Sequence, residues 1–400
     1  MPFRIALSGL NAASTDLSVT ANNVSNVSTV GFKSSRAQFA DVFSVGAQGI
    51  GNGVRVAAVN QQFEQGGIDF TDNPLDLAIS GQGFFTLSDN GSLVYSRAGA
   101  YGVDRDGYVV NAKNQRLQVY PPTGNGTFNT GALTDLRLVA TDSAPQATSN
   151  VVMMLNLPAT ALPPTAPIFD PADPQSYTQS TSMTVYDSLG SAHTSTYYFV
   201  KGAAAGAWDV YTYIDGTAVG GANALSYSST GLLTSPANGF ITLPAYAPTN
   251  GAAPLNITLD MGDSTQYGNP FGVNSMTQDG FAAGRLASID IDAEGVVFAR
   301  YTSGRSTEIG KVVLSNFPNP QGLRQLGDTT WGESFASGQA IRGEAGSASF
   351  GLIQAGALEA SNVDLTEQLV NMITAQRNYQ ANAQVISTAD ELMQTIINIR

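Results

Sequence analysis

The chain closes on SNVDLTEQLVNMITAQRNYQANAQVISTADELMQTIINIR (Ser361–Arg400), and the apolar residues in this stretch recur at a fixed interval. Leu365, Leu369, Met372, Tyr379, Ile386, Met393 and Ile397 fall on a strict 4-3 spacing, with Gln376, Ala383 and Asp390 at the intervening steps. A sustained 3.5-residue repeat predicts a coiled-coil seam rather than a helix laid on a globular core. Asp364, followed three residues later by Glu367, supplies a start signal with capping-box spacing. Both acids also sit well at the positive end of a helix dipole.

The other end of the chain repeats the pattern. Phe3, Leu7, Leu10, Ser14, Leu17, Ala21, Val24 and Ser28 are again spaced 4-3. The helix then fades into ANNVSNVSTVGFK (Ala21–Lys33), where Asn, Ser and β-branched residues weaken it and Gly31 can stop it. Both seams include small or polar residues, so neither helix would pair strongly alone. Their outer faces are nearly uncharged: Arg4 and Asp16 are the only charges in the first thirty residues. A solvated helix usually carries Lys and Glu on its outer face. Asn382, Gln384, Ser387, Gln394 and Asn398 suit contact with more protein, above all with copies of the same chain, where every charge would sit beside its own image. An amphipathic helix docked on its own domain is the plainer reading, and the uncharged outer faces weigh against it.

Between the ends the pattern changes. Residues 32 to about 70 are Gly-rich with short apolar runs and read as an irregular connector. From Leu75 the sequence becomes β-like, with hairpin signals at Asp89-Asn90-Gly91 and Asp106-Gly107 and a further turn at Glu294-Gly295. The stretch from 145 to 280 holds one Lys against eight Asp, a net charge of −7 out of −13 for the chain. The expected class is a multidomain, mainly β protein with helical termini paired as a coiled coil and nested β-domains between them. We place the helical domain at 1–30 and 361–400 and the connector at 31–70 and 345–360. An inner β-domain follows at 71–144 and 281–344, with an inserted acidic β-domain at 145–280.

Composition narrows the function. Four hundred residues suffice for two or three domains. Only 12 % are charged, and no basic cluster exists, which argues against nucleic acid as a partner. No apolar run approaches the roughly 20 residues of a membrane helix, and the opening MPFRIALSGLNAAS lacks the apolar core of a Sec signal peptide. Cysteine is absent, so disulfides and thiolate metal sites are impossible.

Chemistry is equally sparse. The single histidine, His193, reads as structural. DIDAEG (Asp290–Gly295) resembles half of a calcium loop, but Tyr301 stands where a bidentate Glu is required. GQGFF and GIGNGVRV lack the strand-then-helix context of a phosphate loop. We expect no enzyme, no cofactor and no metal.

The two ends resemble the axial proteins of the bacterial flagellum, the rod, hook and hook-associated family. The first motif is carried by Ser8-Gly9-Leu10-Asn11-Ala12-Ala13, Asn22, Asn23, Asn26, Thr29 and Gly31-Phe32-Lys33. The second is carried by Ala357-Leu358-Glu359, Ser361, Asn362, Asp364, Gln376, Arg377, Tyr379 and Asn382. Gln368 departs from the Glu that many members carry there. Chain length, the acidic insert and the short connector favour the hook type, with the distal rod type as the alternative inside the family. A secreted β-rich adhesin is the alternative outside it.

The resemblance implies a self-assembling hollow, curved tube that works as a universal joint and encloses an export channel, lying at the cell exterior and exported without a Sec signal. It also implies contacts with a distal rod protein, a hook–filament junction protein, a hook cap protein and the type III export apparatus.

Overall fold

The computed structural model describes residues 2–43, 51–124, 126–138, 143–347 and 349–398, with side chains described from 3 to 395. The chain divides into two compact units. One comprises Met1–Val139, Ser288–Ala299 and Ser306–Arg400, and the other Ala140–Ala287 and Arg300–Arg305.

In the first unit the termini are helical: α1 spans Pro2–Ser25 and α2 spans Leu365–Asn398. The start signal of α2 is used as written, since Asp364 Oδ1 accepts the backbone N–H groups of Thr366 (2.7 Å) and Glu367 (3.1 Å). The segment expected to be an irregular connector is instead a hairpin. Its strands β1 (Ser35–Asp41) and β2 (Val54–Gln61) pair antiparallel, with a register shift between Gln38 and Phe39. β2 alternates between half-buried and exposed positions over most of its length, while the register shift breaks the alternation on β1 after Gln38. Cross-strand pairing supplies the order that the pattern hides.

Outgoing and returning legs of the chain pair with each other. Strand Ile68–Phe70 pairs with Ala357–Glu359, and Leu77–Ser80 with Leu352–Ala355, both antiparallel. Beyond them Phe84–Asp89 pairs with Ser92–Ser96 through the Asn90-Gly91 turn, where both residues take positive φ. Phe84–Asp89 and Arg116–Tyr120 also pair with the long strand Ser306–Asn316. The main core lies under these strands, around Ile79, Phe85, Leu87, Leu117, Val312 and Leu314. A second cluster packs Phe84, Tyr95, Phe317 and Trp331 edge to face.

The second unit is built from two sheets. One runs Gln179–Tyr186, Ala192–Lys201, Ala207–Ile214, Asn223–Tyr227, Leu233–Ser235, all antiparallel neighbours. In the other, Asn150–Asn156 pairs parallel to Thr258–Asp260 and antiparallel to Gly272–Gln278. Ala207–Ile214 alternates cleanly between buried and half-buried positions, the period-2 signature of a half-buried strand. Residues of both sheets share one core that includes Met153, Leu155, Tyr197, Phe199, Trp208 and Leu259.

Candidate assembly interface

The helices α1 and α2 lie antiparallel. Gly9 meets Asn382, so close that a Cβ on Gly9 would collide with the amide, and Asn23 Nδ2 donates to Gln368 Oε1 at 3.1 Å. Gly9 and Asn23 are fourteen residues apart, as are Gln368 and Asn382, so the register is constant over about four turns. The departure from the family motif at Gln368 thus falls on a contact residue, whose side-chain oxygen does what a Glu oxygen could do.

The face that closes this pair differs from the expected seam. Ala6, Ala13, Thr20 and Asn23 are buried, and so is Ala375 on α2. The expected seam residues are left outside or at the margin. Leu7 is exposed, while Leu10, Leu17 and Val24 are half-buried. On α2, Met372 and Ile386 are half-buried, Leu365, Leu369, Tyr379 and Met393 are exposed, and Ile397 lies outside the residues with described side chains. The reason is steric. Helix axes approach most closely where side chains are small, so Gly9 sits directly against Asn382, while Met372 and Ile386, half-buried between Gln368, Ala375 and Asn382, flank the contact on α2. Val370, Ile373, Val385 and Leu392 add to the uncovered apolar surface of α2.

The motif residues do a different job, holding the helix ends onto the connector. Asn23 is buried and copies a backbone unit: Oδ1 accepts Ser35 N–H and Nδ2 donates to Ser35 O, each at 2.8 Å. Asn362 does likewise for the returning chain, with Oδ1 accepting Ser34 N–H (2.7 Å) and Nδ2 donating to Gln62 O (2.8 Å). Asn26 Nδ2 donates to Asn22 O and its Oδ1 accepts from Thr29, closing the turn after α1. Gly31 takes φ +66°, and a Cβ there would strike the backbone of Ala98. Its N–H donates to Glu359 O at 2.7 Å. Phe32 is half-buried beside it, and Ser361 Oγ accepts from Val363 N–H.

Lys33 reaches a buried ionic centre. Its Nζ lies 2.6 Å from Glu359 Oε1 and 2.6 Å from Glu64 O, while Arg97 Nε donates to Glu359 Oε2 at 2.7 Å. The Glu359 carboxylate is 0 % exposed. Burial draws Lys33 below the usual lysine range, the nearby Arg97 adds to the fall, and Glu359 opposes it. Three strand legs and the end of the helix pair meet here, at Lys33 and Glu359, one from each of the two terminal motifs. Gln376, Arg377 and Tyr379 are exposed on α2, and Asn382 Nδ2 donates back to Asn378 O. Among the described residues, then, Asn23, Lys33 and Asn362 form one junction, while Gln376, Arg377 and Tyr379 face outward from α2.

The sites considered for chemistry serve structure. His193, in the second unit, places Nδ1 2.6 Å from Asp215 Oδ2 and Nε2 3.1 Å from Asp187 Oδ2. Burial alone would lower its pKa, but the two carboxylates outweigh it and the net shift is upward. Asp292 Oδ1 accepts Glu294 and Val296 N–H groups, so the calcium-loop likeness of DIDAEG is the geometry of a turn. Among the described residues no group of three or more His, Asp or Glu is placed to hold a metal, and no helix is long and apolar enough to cross a membrane.

Comparison with known proteins bears on the whole chain. It is 40 % identical over 411 residues to the flagellar hook protein FlgE of Escherichia coli K12, across 100 % of both chains. The chain belongs to the flagellar hook protein FlgE family. The Salmonella typhimurium FlgE is 41 % identical over the same span, and that of Borreliella burgdorferi 32 % identical over 98 % of each chain. Each of these relatives is named a flagellar hook protein. Family models match in chain order: flagella basal body rod protein (3–33), the FlgE/F/G D1 domain (78–152), the FlaE D2 domain (156–281) and the FlgEFG C-terminal segment (354–399). The crystal structure of Helicobacter pylori FlgE2 shares the fold, with TM-score 0.54 at 15 % identity over 73 % of this chain and all of that one.

Proposed function

We propose that this chain is the structural subunit of a flagellar hook, polymerising into a curved hollow tube that joins the rotary motor to the filament. One observation carries the reading. The helix pair buries small residues such as Ala6, Ala13 and Ala375 and leaves Leu7, Leu365, Leu369, Val370, Ile373 and Met393 exposed. An apolar line of that extent on a soluble helix needs a partner, and FlgE membership points to further copies of the same chain.

In this reading the helices of many copies form an inner wall around an export channel, and the β-units form the outer layers that slide as the tube bends. The neutral, amide-rich helix surface avoids stacking like charges and offers unfolded cargo no strong binding site. Export would proceed without a Sec signal, through a flagellar type III apparatus. A distal rod protein, a junction protein and a cap protein would meet the ends of the tube. The domain limits that go with this reading are 1–30 with 361–400 for the wall and 145–280 for the acidic insert. Electron microscopy of the purified chain under salting-out conditions tests it: short curved tubes are expected, and a protein that stays monomeric would overturn the reading.

A further inference from the structure

His193 draws together three loops of the second unit. They are the turn 187–191 that precedes its own strand, the turn at Asp215-Gly216, and the loop 246–255. That loop leaves and rejoins the unit at a narrow neck, where Tyr246 and Leu255 exchange backbone hydrogen bonds of 3.0 and 2.7 Å. Between the two neck residues only Pro248 is buried, so little apolar area holds the loop down. Its other fastenings are polar and go to a single turn. Asn250 Nδ2 donates to Asp187 Oδ2 and to Ser191 Oγ, and Ala253 N–H donates to Ser188 Oγ at 2.8 Å.

One oxygen is shared between the loop and the histidine. Asp187 Oδ2 accepts from Asn250 and lies 3.1 Å from His193 Nε2, while Nδ1 lies 2.6 Å from Asp215 Oδ2. Asp187 Oδ1 is taken by the N–H groups of Leu189 and Ser191, and solvent does not reach this side chain. The charged or titratable groups that face the ring are Asp187, Asp215 and Tyr246, one from each loop.

We propose that His193 is a proton-operated latch for the loop 246–255, which is held down while both ring nitrogens carry a proton and lifts, with the sheets still folded, when one is lost. The distances set the order of events. The shorter contact keeps its proton on Nδ1, so the Nε2 proton leaves and a lone pair then faces the Asp187 carboxylate. A buried carboxylate that has lost its counter-charge is costly and recovers once water reaches it. Asn250 sits on that same oxygen, on a loop with few other fastenings, so lifting the loop admits the water at least cost. The sign agrees with the histidine pKa, which lies above its ordinary value. Latching is therefore complete below that value and is lost as pH rises through the folded one.

The test uses the full chain, whose only histidine is His193, so its ring signals in an NMR titration assign themselves. Rapid-mixing hydrogen exchange of 249–255, divided by the intrinsic rate at each pH, is followed from about pH 6 to about pH 9. Protection at Ala253 should fall with the midpoint of the ring titration, about tenfold for each unit by which the pKa exceeds its free value. Amides at Phe199 and Val210, in the core of the unit, should keep their protection throughout. His193→Asn should make protection of the loop independent of pH. Asn250→Ala, which leaves the ring and both carboxylates in place, should leave Ala253 unprotected at every pH while His193 still titrates. Protection of the loop that stays constant through the His193 titration, or that is lost together with protection at Phe199 and Val210, overturns the inference.

Discussion

Lys33 Nζ and Glu359 Oε1, 326 positions apart in the chain, are 2.6 Å apart in the fold, with no solvent reaching either side chain. Arg97 completes the group from a third leg of the chain. Removing one member of a buried ionic set strands the others, at a cost of about 3–5 kcal/mol. Glu359→Gln should therefore destabilise the first unit by that amount in urea unfolding, without changing its fold. Replacing all three by apolar residues, as in Lys33→Met with Arg97→Met and Glu359→Leu, should recover little, because Glu64 O, Gly81 O, Gly83 O and Gly66 N–H would lose their partners. A Glu359→Gln variant as stable as the parent would show that the centre is hydrated and contributes little.

Asn23 offers a smaller, cleaner effect. Its amide satisfies both backbone groups of Ser35, so Asn23→Ala leaves a donor and an acceptor without partners, at about 1–3 kcal/mol. The neighbouring Asn22 is exposed, and Asn22→Ala should stay within about 0.5 kcal/mol. Urea midpoints of the two variants compare them directly. Equal effects would remove the asparagine junction from the account.

The acidity of the second unit should be tuned by its histidine. Both ring nitrogens of His193 face carboxylate oxygens, an arrangement that only the imidazolium satisfies fully, and Tyr246, Asn250 and Ser191 complete the surroundings. A raised histidine pKa contributes stability that is present below the ordinary value of 6.5 and is lost as pH rises through the folded value. Burial pushes Asp187 and Asp215 up, but their hydrogen bonds, led by Asn250 for Asp187 and His193 for Asp215, hold both below 3.8; their contribution is present above that value and lost on acidification. The melting temperature of the second unit should thus be highest between about pH 4 and 6.5 and fall on the alkaline side. In His193→Asn the alkaline fall should flatten. A parent profile flat from pH 6 to 9 would contradict the clamp.

The helix pair should be the least protected part of the free chain. Its interface is lined by Gly9, Ala13, Thr20, Asn23 and Ala375, which bury little apolar area, and isolated helices of this length are marginal in water. Away from the Asn23 junction, amide exchange on the monomer should be fast in 5–19 and 376–395 and slow at Phe85, Leu117 and Val312. Comparable protection in both regions would show that the pair is stable without neighbours.

Much of this was legible from residues. Asp364 and Glu367 marked the start of α2, the Asn90-Gly91 and Gly295 turns fell where hairpin chemistry placed them, and the out-and-return path brought both ends together. What escaped was set by close approach rather than by hydrophobicity. The closest approach of the two helices is at Gly9 against Asn382, where no apolar side chain marks the contact. The β1–β2 hairpin was hidden because the register shift at Gln38/Phe39 breaks the alternation on β1 and leaves only short runs of it. The Lys33–Glu359–Arg97 centre joins residues hundreds of positions apart, which no local pattern can show.

Leu369 lies on the exposed apolar line of α2, off the contacts that close the helix pair. If copies meet along that line, Leu369→Asp puts a charge into a dry contact in every subunit, costing several kcal/mol each time. The monomer gains only one more exposed charge, worth at most about 0.5 kcal/mol. The measurement is tube formation under salting-out conditions, observed by electron microscopy beside a thermal melt of the monomer. The expected result is loss of tubes, with the monomer melting within about 2 °C of the parent. Tubes of normal form, or a monomer destabilised by many degrees, would contradict the claim that the exposed line on α2 is where copies join.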